Sequence, residues 1–237
     1  MKVSSAMPPA LPPEQLEALK NVDTCTVANA IEQLDVRLRN EGFANATIRS
    51  VFACPKPVVG YAVTVRIRCS NPPMEGHVYV DRTDWWNYLL TVPAPRVVVI
   101  QDMDQNPGTG TFLGEVHATI LRTLGCVAAV TNGAVRDVSA MEKTGLQVFA
   151  GNVAVSHAYA HIVDFGKPVE IGRLKIEPGD LLHADFHGVL SVPRETAAQV
   201  PAIAVRLLAH ERHVIELCHS SDFSLEKLRA IVKGVFD

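Results

Sequence analysis

Glu115, twenty further residues, and then Arg136-Asp137 give this chain a set of side chains that could do chemistry. Asp137 offers a hard carboxylate oxygen of the kind that holds Mg²⁺ or Mn²⁺. Arg136 offers a two-pronged donor that clamps a carboxylate or phosphate. Glu115 is a second carboxylate near the same cation. A glycine-rich run (Gly108, Gly110, Gly114) leads into Glu115-Val116-His117. If a helix starts there, its unpaired N–H groups and positive dipole end suit an anion. An anion cradle at that helix start, beside Arg136 and a metal on Asp137, describes a site for a small oxo acid. The same residues allow a plainer reading, with Glu115 as a helix cap and Arg136–Asp137 as a loop ion pair.

Such a site needs elements to hold it. The pattern predicts a helix over about 115–124, a buried strand over 127–130 and a loop from Asn132 to Asp137. In open α/β sheets, ligands gather at such strand ends. Upstream, Pro12-Pro13-Glu14 opens a short helix. Thr24 then reads as the N-cap of a helix to about Val36, with Val27, Ala30, Ile31 and Leu34 on one face. Residues 58–67 read as a strand with one half-buried face, and 96–101 as a buried parallel strand. Between them, 84–90 forms a helix whose Trp85 and Trp86 suit the core or a subunit contact better than a stacking platform. Downstream come a helix over 138–144 closed by Gly145 and a strand over 146–150. A β-rich stretch from Lys167 follows, with hairpin turns at Gly172-Arg173 and His187-Gly188. A helix from Pro193 to Val214 and another from Ser224 to Val235 end the chain. The fold class is α/β, with residues 1–22 as an N-terminal arm and short helix, 201–237 as C-terminal helices, and one domain throughout.

Other polar groups compete for attention. Asp102 and Asp104 follow a strand and could serve a cation, or simply start a turn. His157 and His161 stand four apart, but no third zinc ligand is evident, and a polar rim or substrate pocket suits them better. His183, Asp185 and His187 share one side of a strand, where they could form a metal triple, though alternation favours a solvent-facing row. Cys25, Cys54, Cys69, Cys126 and Cys218 are widely spaced, with no C-x-x-C pair. That argues against a disulfide framework or a cysteine zinc site, and for a reducing cytoplasm.

The net charge of −3, with basic residues scattered, gives no footprint for nucleic acid. No apolar run is long enough to span a membrane. The opening residues lack the apolar core of a signal peptide and read as a flexible arm.

The acid, the twenty-residue gap and Arg-Asp resemble the RraA-like family (regulator of ribonuclease activity A). Its members include metal-dependent 4-hydroxy-4-methyl-2-oxoglutarate aldolases. DTCTVANAIEQL at Asp23–Leu34, VVGYAVTVR at Val58–Arg66 and PGDLLHADFHGVLSVP at Pro178–Pro193 resemble the same family. The resemblance implies an α/β/β sandwich like the swivelling β/β/α domain, and homotrimers or hexamers with sites between subunits. It implies Asp137 as metal ligand, Arg136 as clamp on a pyruvyl group, and Gly114 to His117 as the amide cradle. Glu115 stands where many members have aspartate, and Ala140 where aldolases often carry another carboxylate. The implied activity is class II aldol cleavage of a 4-hydroxy-2-oxo acid to pyruvate, with oxaloacetate decarboxylation beside it. The alternative is a regulatory protein that binds and inhibits a ribonuclease.

Overall fold

The computed structural model describes residues 10–73 and 82–232. Most of the predicted arm therefore lies outside the described residues, as do the last residues of the predicted C-terminal helix. Two helices open the fold, α1 (Pro13–Lys20) and α2 (Thr24–Glu32), followed by strands β1 (Arg49–Ser50) and β2 (Val58–Arg68). Next come α3 (Arg82–Thr91), β3 (Arg96–Asp102), β4 (Thr111–Leu113), α4 (Glu115–Thr123) and β5 (Cys126–Val135). Then follow α5 (Val138–Lys143), β6 (Gln147–Val153), β7 (His161–Phe165), β8 (Val169–Ile171) and β9 (Leu174–Ile176). The hairpin β10 (Leu181–Asp185) and β11 (Gly188–Val192) precedes α6 (Val200–His219) and α7 (Leu225–Val232).

Nine strands form one mixed sheet in the order β1-β6-β5-β3-β2-β10-β11, with β4 on β5 and β7 on β2. Its centre, β2-β3-β5-β6, is parallel. Side-chain alternation sorts the centre into two cores. Val63, Val65, Val98, Ile100, Ala129 and Val148 face the helices, meeting Leu19, Ile31, Leu89 and Leu121. Ala62, Val97, Val99, Ala128, Val130 and Phe149 face the small β8–β9 sheet through Val169, Ile171, Leu174 and Ile176. Helices, large sheet and small sheet therefore make an α/β/β layering.

That double covering corrects the expectation for β2, which is buried on both faces rather than half-exposed. Four more corrections concern boundaries. Asp23, not Thr24, caps α2, because its carboxylate accepts the Thr26 amide at 3.0 Å while the Thr24 hydroxyl turns to His183. That helix stops at Glu32 instead of Val36. The long C-terminal helix starts at Val200 rather than Pro193, with Pro201 in its first turn. A start at Pro193 would have put Pro201 inside the helix, where its missing N–H and its ring break the ladder. The β10–β11 turn is Phe186-His187, since Asp185 pairs with Gly188. The β8–β9 turn does fall on Gly172-Arg173, at φ +54° and +70°. Those positive values are what a two-residue hairpin of this twist requires.

Candidate active site

Two neighbouring strands end together and each runs into a helix. Short β4 pairs in parallel with the end of β5, Thr111 opposite Ala134 and Leu113 opposite Val135. The pairing continues one step as the Arg136 amide donates to Leu113 O at 3.1 Å. Gly114 and Arg136-Asp137 therefore leave the sheet side by side. Strand β5 is longer than expected, so Asn132 to Val135 belong to it rather than to a loop. Strand β4 was not expected at all: three residues between glycines carry no period to read.

At this corner Asp137 Oδ2 lies 3.4 Å from Arg136 Nε and 3.4 Å from the Glu115 amide nitrogen. Gly114 makes the approach feasible. A Cβ there would sit 2.6 Å from Asp137 Oδ2 and 3.2 Å from Arg136 Cγ. Asp137 itself adopts φ +55°, a left-handed conformation that Asp and Asn tolerate better than most residues. Arg136 Nε is buried and has no hydrogen bond, since the Asp137 oxygen is near enough for an ion pair but is not aligned as an acceptor. Such an orphaned donor asks for an acceptor that the chain does not supply.

The corner opens into a cavity of about 270 Å³ lined by Gly114, Val116, His117, Arg136 and Asp137, with Trp86, Phe112, Ile120 and His157. Five of the expected residues thus meet. Glu115 is exposed, and only its amide reaches Asp137. Val116 is 74% exposed at the cavity edge. The His117 ring is buried, its Nδ1 2.8 Å from Phe112 O, so its amide rather than its imidazole is what the cradle offers. Trp85 is core, but Trp86 is a half-buried wall of the cavity. Phe112 and Ile120 were missed, because apolar residues in a strand and a helix look alike whether they pack or line a cavity. A larger groove of about 730 Å³, between α2, α6 and α7, contains none of the corner residues.

Of the remaining polar candidates, only His157 lines this cavity. His157 and His161 are not on a helix: His157 precedes β7 and pairs with Thr111 O at 2.9 Å, and His161 begins that strand. His183 and Asp185 do not face solvent. His183 is fully buried, with Nδ1 3.0 Å from the Thr24 hydroxyl and Nε2 3.0 Å from Leu19 O. Asp185 accepts the Thr24 amide at 2.8 Å and the His187 amide at 2.9 Å. Asp102, Asp104 and Cys69 form a buried group, with donor atoms within 4.8 Å of one another. Asp104 accepts the Cys69 and Ser70 amides and the Ser70 hydroxyl, and Asp102 accepts the Asp104 and Gly108 amides. Burial pushes the Cys69 thiol up to about 12 and raises Asp102. Those bonds brace the glycine-rich loop.

The donor set at the corner fits a hard divalent cation. One partly exposed carboxylate, with room for waters and substrate oxygens, is how Mg²⁺ is commonly held.

Comparisons place the chain among known proteins. Over 149 residues it is 31% identical to protein DlpA of Legionella pneumophila, covering 60% of this chain and 23% of that one. Over 102 residues it is 29% identical to a Halalkalibacterium halodurans protein named "Putative 4-hydroxy-4-methyl-2-oxoglutarate aldolase", covering 43% and 48%. The matches thus span about a quarter and about half of those relatives. Among solved structures, Streptomyces coelicolor RraAS2, described as an unusual member of the RNase ES inhibitor RraA family, superposes with a TM-score of 0.69. It shares 21% identity, over 86% of this chain and 97% of that one, a likeness of fold. The family model RraA-like, described as Aldolase/RraA, matches residues 24–191, which include every element of the corner, and the chain belongs to that family.

Proposed function

We propose that the chain is a divalent-metal-dependent lyase that cleaves a 4-hydroxy-2-oxo acid to pyruvate, with oxaloacetate decarboxylation as a second activity. The observation that carries this reading is the buried Arg136 Nε, which makes no hydrogen bond, beside the Asp137 carboxylate at the mouth of a cavity. Asp137 would hold Mg²⁺ or Mn²⁺. A cation bound there supplies Lewis-acid stabilisation of the negative oxygen that develops on the keto acid. Arg136 shares that charge with donors fixed before the reaction begins. The amides of Gly114 to His117 hold the substrate carboxylate at the start of α4. Glu115, exposed beside them, would orient the water that takes the proton of the 4-hydroxyl. Trp86, Phe112, Val116 and Ile120 keep bulk water from the carbanion. In this reading the protein works in the cytoplasm, as a homotrimer or hexamer with sites between subunits.

The test is pyruvate release from 4-hydroxy-2-oxo acids and oxaloacetate, with Mg²⁺ and with EDTA. Arg136→Ala is expected to lower kcat/KM by about 10²–10³, the cost of removing one preorganised donor. Asp137→Asn is expected to abolish the metal response. Undiminished turnover in either variant would overturn the mechanism. The rival reading, a non-catalytic protein that binds a ribonuclease, draws on the other name the family carries. It predicts no turnover with any of these acids and a stable complex with a nuclease.

A further inference from the structure

A second group of metal-binding side chains lies where α2 meets the β10–β11 turn. Asp23, Cys25 and His187 each place a donor atom within 4.8 Å of the other two. All three are accessible, Cys25 and His187 exposed and Asp23 half-buried. None belongs to the Arg136–Asp137 corner. From this geometry we propose that Asp23, Cys25 and His187 form a binding site for a thiophilic divalent cation of the zinc type.

The donor chemistry selects the metal. One thiolate, one imidazole and one carboxylate is a mixed soft-to-hard set that suits tetrahedral Zn²⁺ and is poorly matched to Mg²⁺. Tetrahedral zinc holds its donors about 3.5 Å apart. The group must therefore close by up to about an ångström, which the exposed Cys25 can do by rotamer change.

The surroundings are those of a prepared site. Asp185 Oδ1 lies 3.0 Å from His187 Nδ1. With Nδ1–H donating to that carboxylate, Nε2 keeps its lone pair for a cation, the arrangement that orients many zinc-bound histidines. Asp185 is itself fixed by the Thr24 amide. Asp23 is held by the Thr26 amide at 3.0 Å and the Thr26 hydroxyl at 2.6 Å, which leaves lone pairs on both oxygens.

Charge decides the balance. The start of α2 carries about half a positive charge, which opposes a cation. Asp23, Asp185 and a Cys25 thiolate supply three negative charges against it. Coordination replaces the thiol proton with the cation, so binding releases that proton. Cys54 is the competing thiol near Asp185, but it donates to Lys56 O at 3.3 Å and is pushed up to about 11. The bound cation would tie the first turn of α2 to the hairpin turn, leaving its fourth position to water.

Cobalt(II) is the probe, because a cobalt–thiolate bond gives a near-ultraviolet charge-transfer band that oxygen ligands do not. Full-length protein titrated with Co²⁺ is expected to develop that band at one equivalent, release a proton, and lose the band to Zn²⁺. Cys25→Ser should remove the band. His187→Ala and Asp23→Asn should each weaken Co²⁺ binding by at least tenfold, with asparagine preserving the helix cap. Asp137→Asn should leave the band unchanged, which separates this site from the proposed catalytic one. Absence of a band at one equivalent, or a band that survives Cys25→Ser, would overturn the proposal.

Discussion

Gly114 is the residue on which the corner's geometry turns. Its φ of −146° is ordinary for any residue, so glycine is required there for space alone. Gly114→Ala puts a methyl group 2.6 Å from Asp137 Oδ2. The carboxylate can rotate away, so thermal stability should stay within a few degrees of the parent, as measured by calorimetry. If the reaction depends on where that carboxylate points, kcat/KM should fall by about 10², the usual cost of an ångström's misplacement. Full activity in Gly114→Ala would show that the position of Asp137 does not matter. Arg136 and Asp137 were readable in the sequence because adjacent unlike charges after an apolar run are conspicuous. Phe112 and Ile120 were not, since lining a cavity leaves no mark that packing does not also leave.

At the scale of elements, apolar runs announced the central strands. Val97–Ile100 and Val127–Val130 are buried on both sheet faces, or nearly so, and such strands need unbroken hydrophobicity. Strands β4 and β7 escaped because they owe their existence to partners distant in sequence, β5 and β2. His183 was misread for the same reason. Alternation places it on one face of β10, but only the fold reveals that α2 covers that face. Burial pushes its pKa below the usual imidazole range, against smaller opposing effects from Leu19 O and Asp185. The sign follows from linkage. Above about pH 6.5 both folded and unfolded states hold a neutral ring, and no pH dependence arises. Below it the unfolded chain takes up a proton that the buried ring resists, so stability falls as pH drops. Urea midpoints should decline between pH 7 and 5.5 in the parent, and less steeply in His183→Gln. Parallel slopes would mean that the ring titrates freely in the folded protein.

For the whole molecule, the proposed assembly makes a direct prediction. Light scattering on the eluting protein should give three or six chain masses, and a monomer that still released pyruvate would remove the intersubunit site from the proposal. No helix among the described residues is long and apolar enough to cross a membrane. Global stability also carries the mark of one backbone angle. Asp137 holds φ +55°, where a side chain costs on the order of 1 kcal/mol that glycine would not incur. Asp137→Gly should therefore melt later than the parent while making no metal-dependent product. If Asp137 holds the proposed cation, that bend trades heat resistance for a charged oxygen.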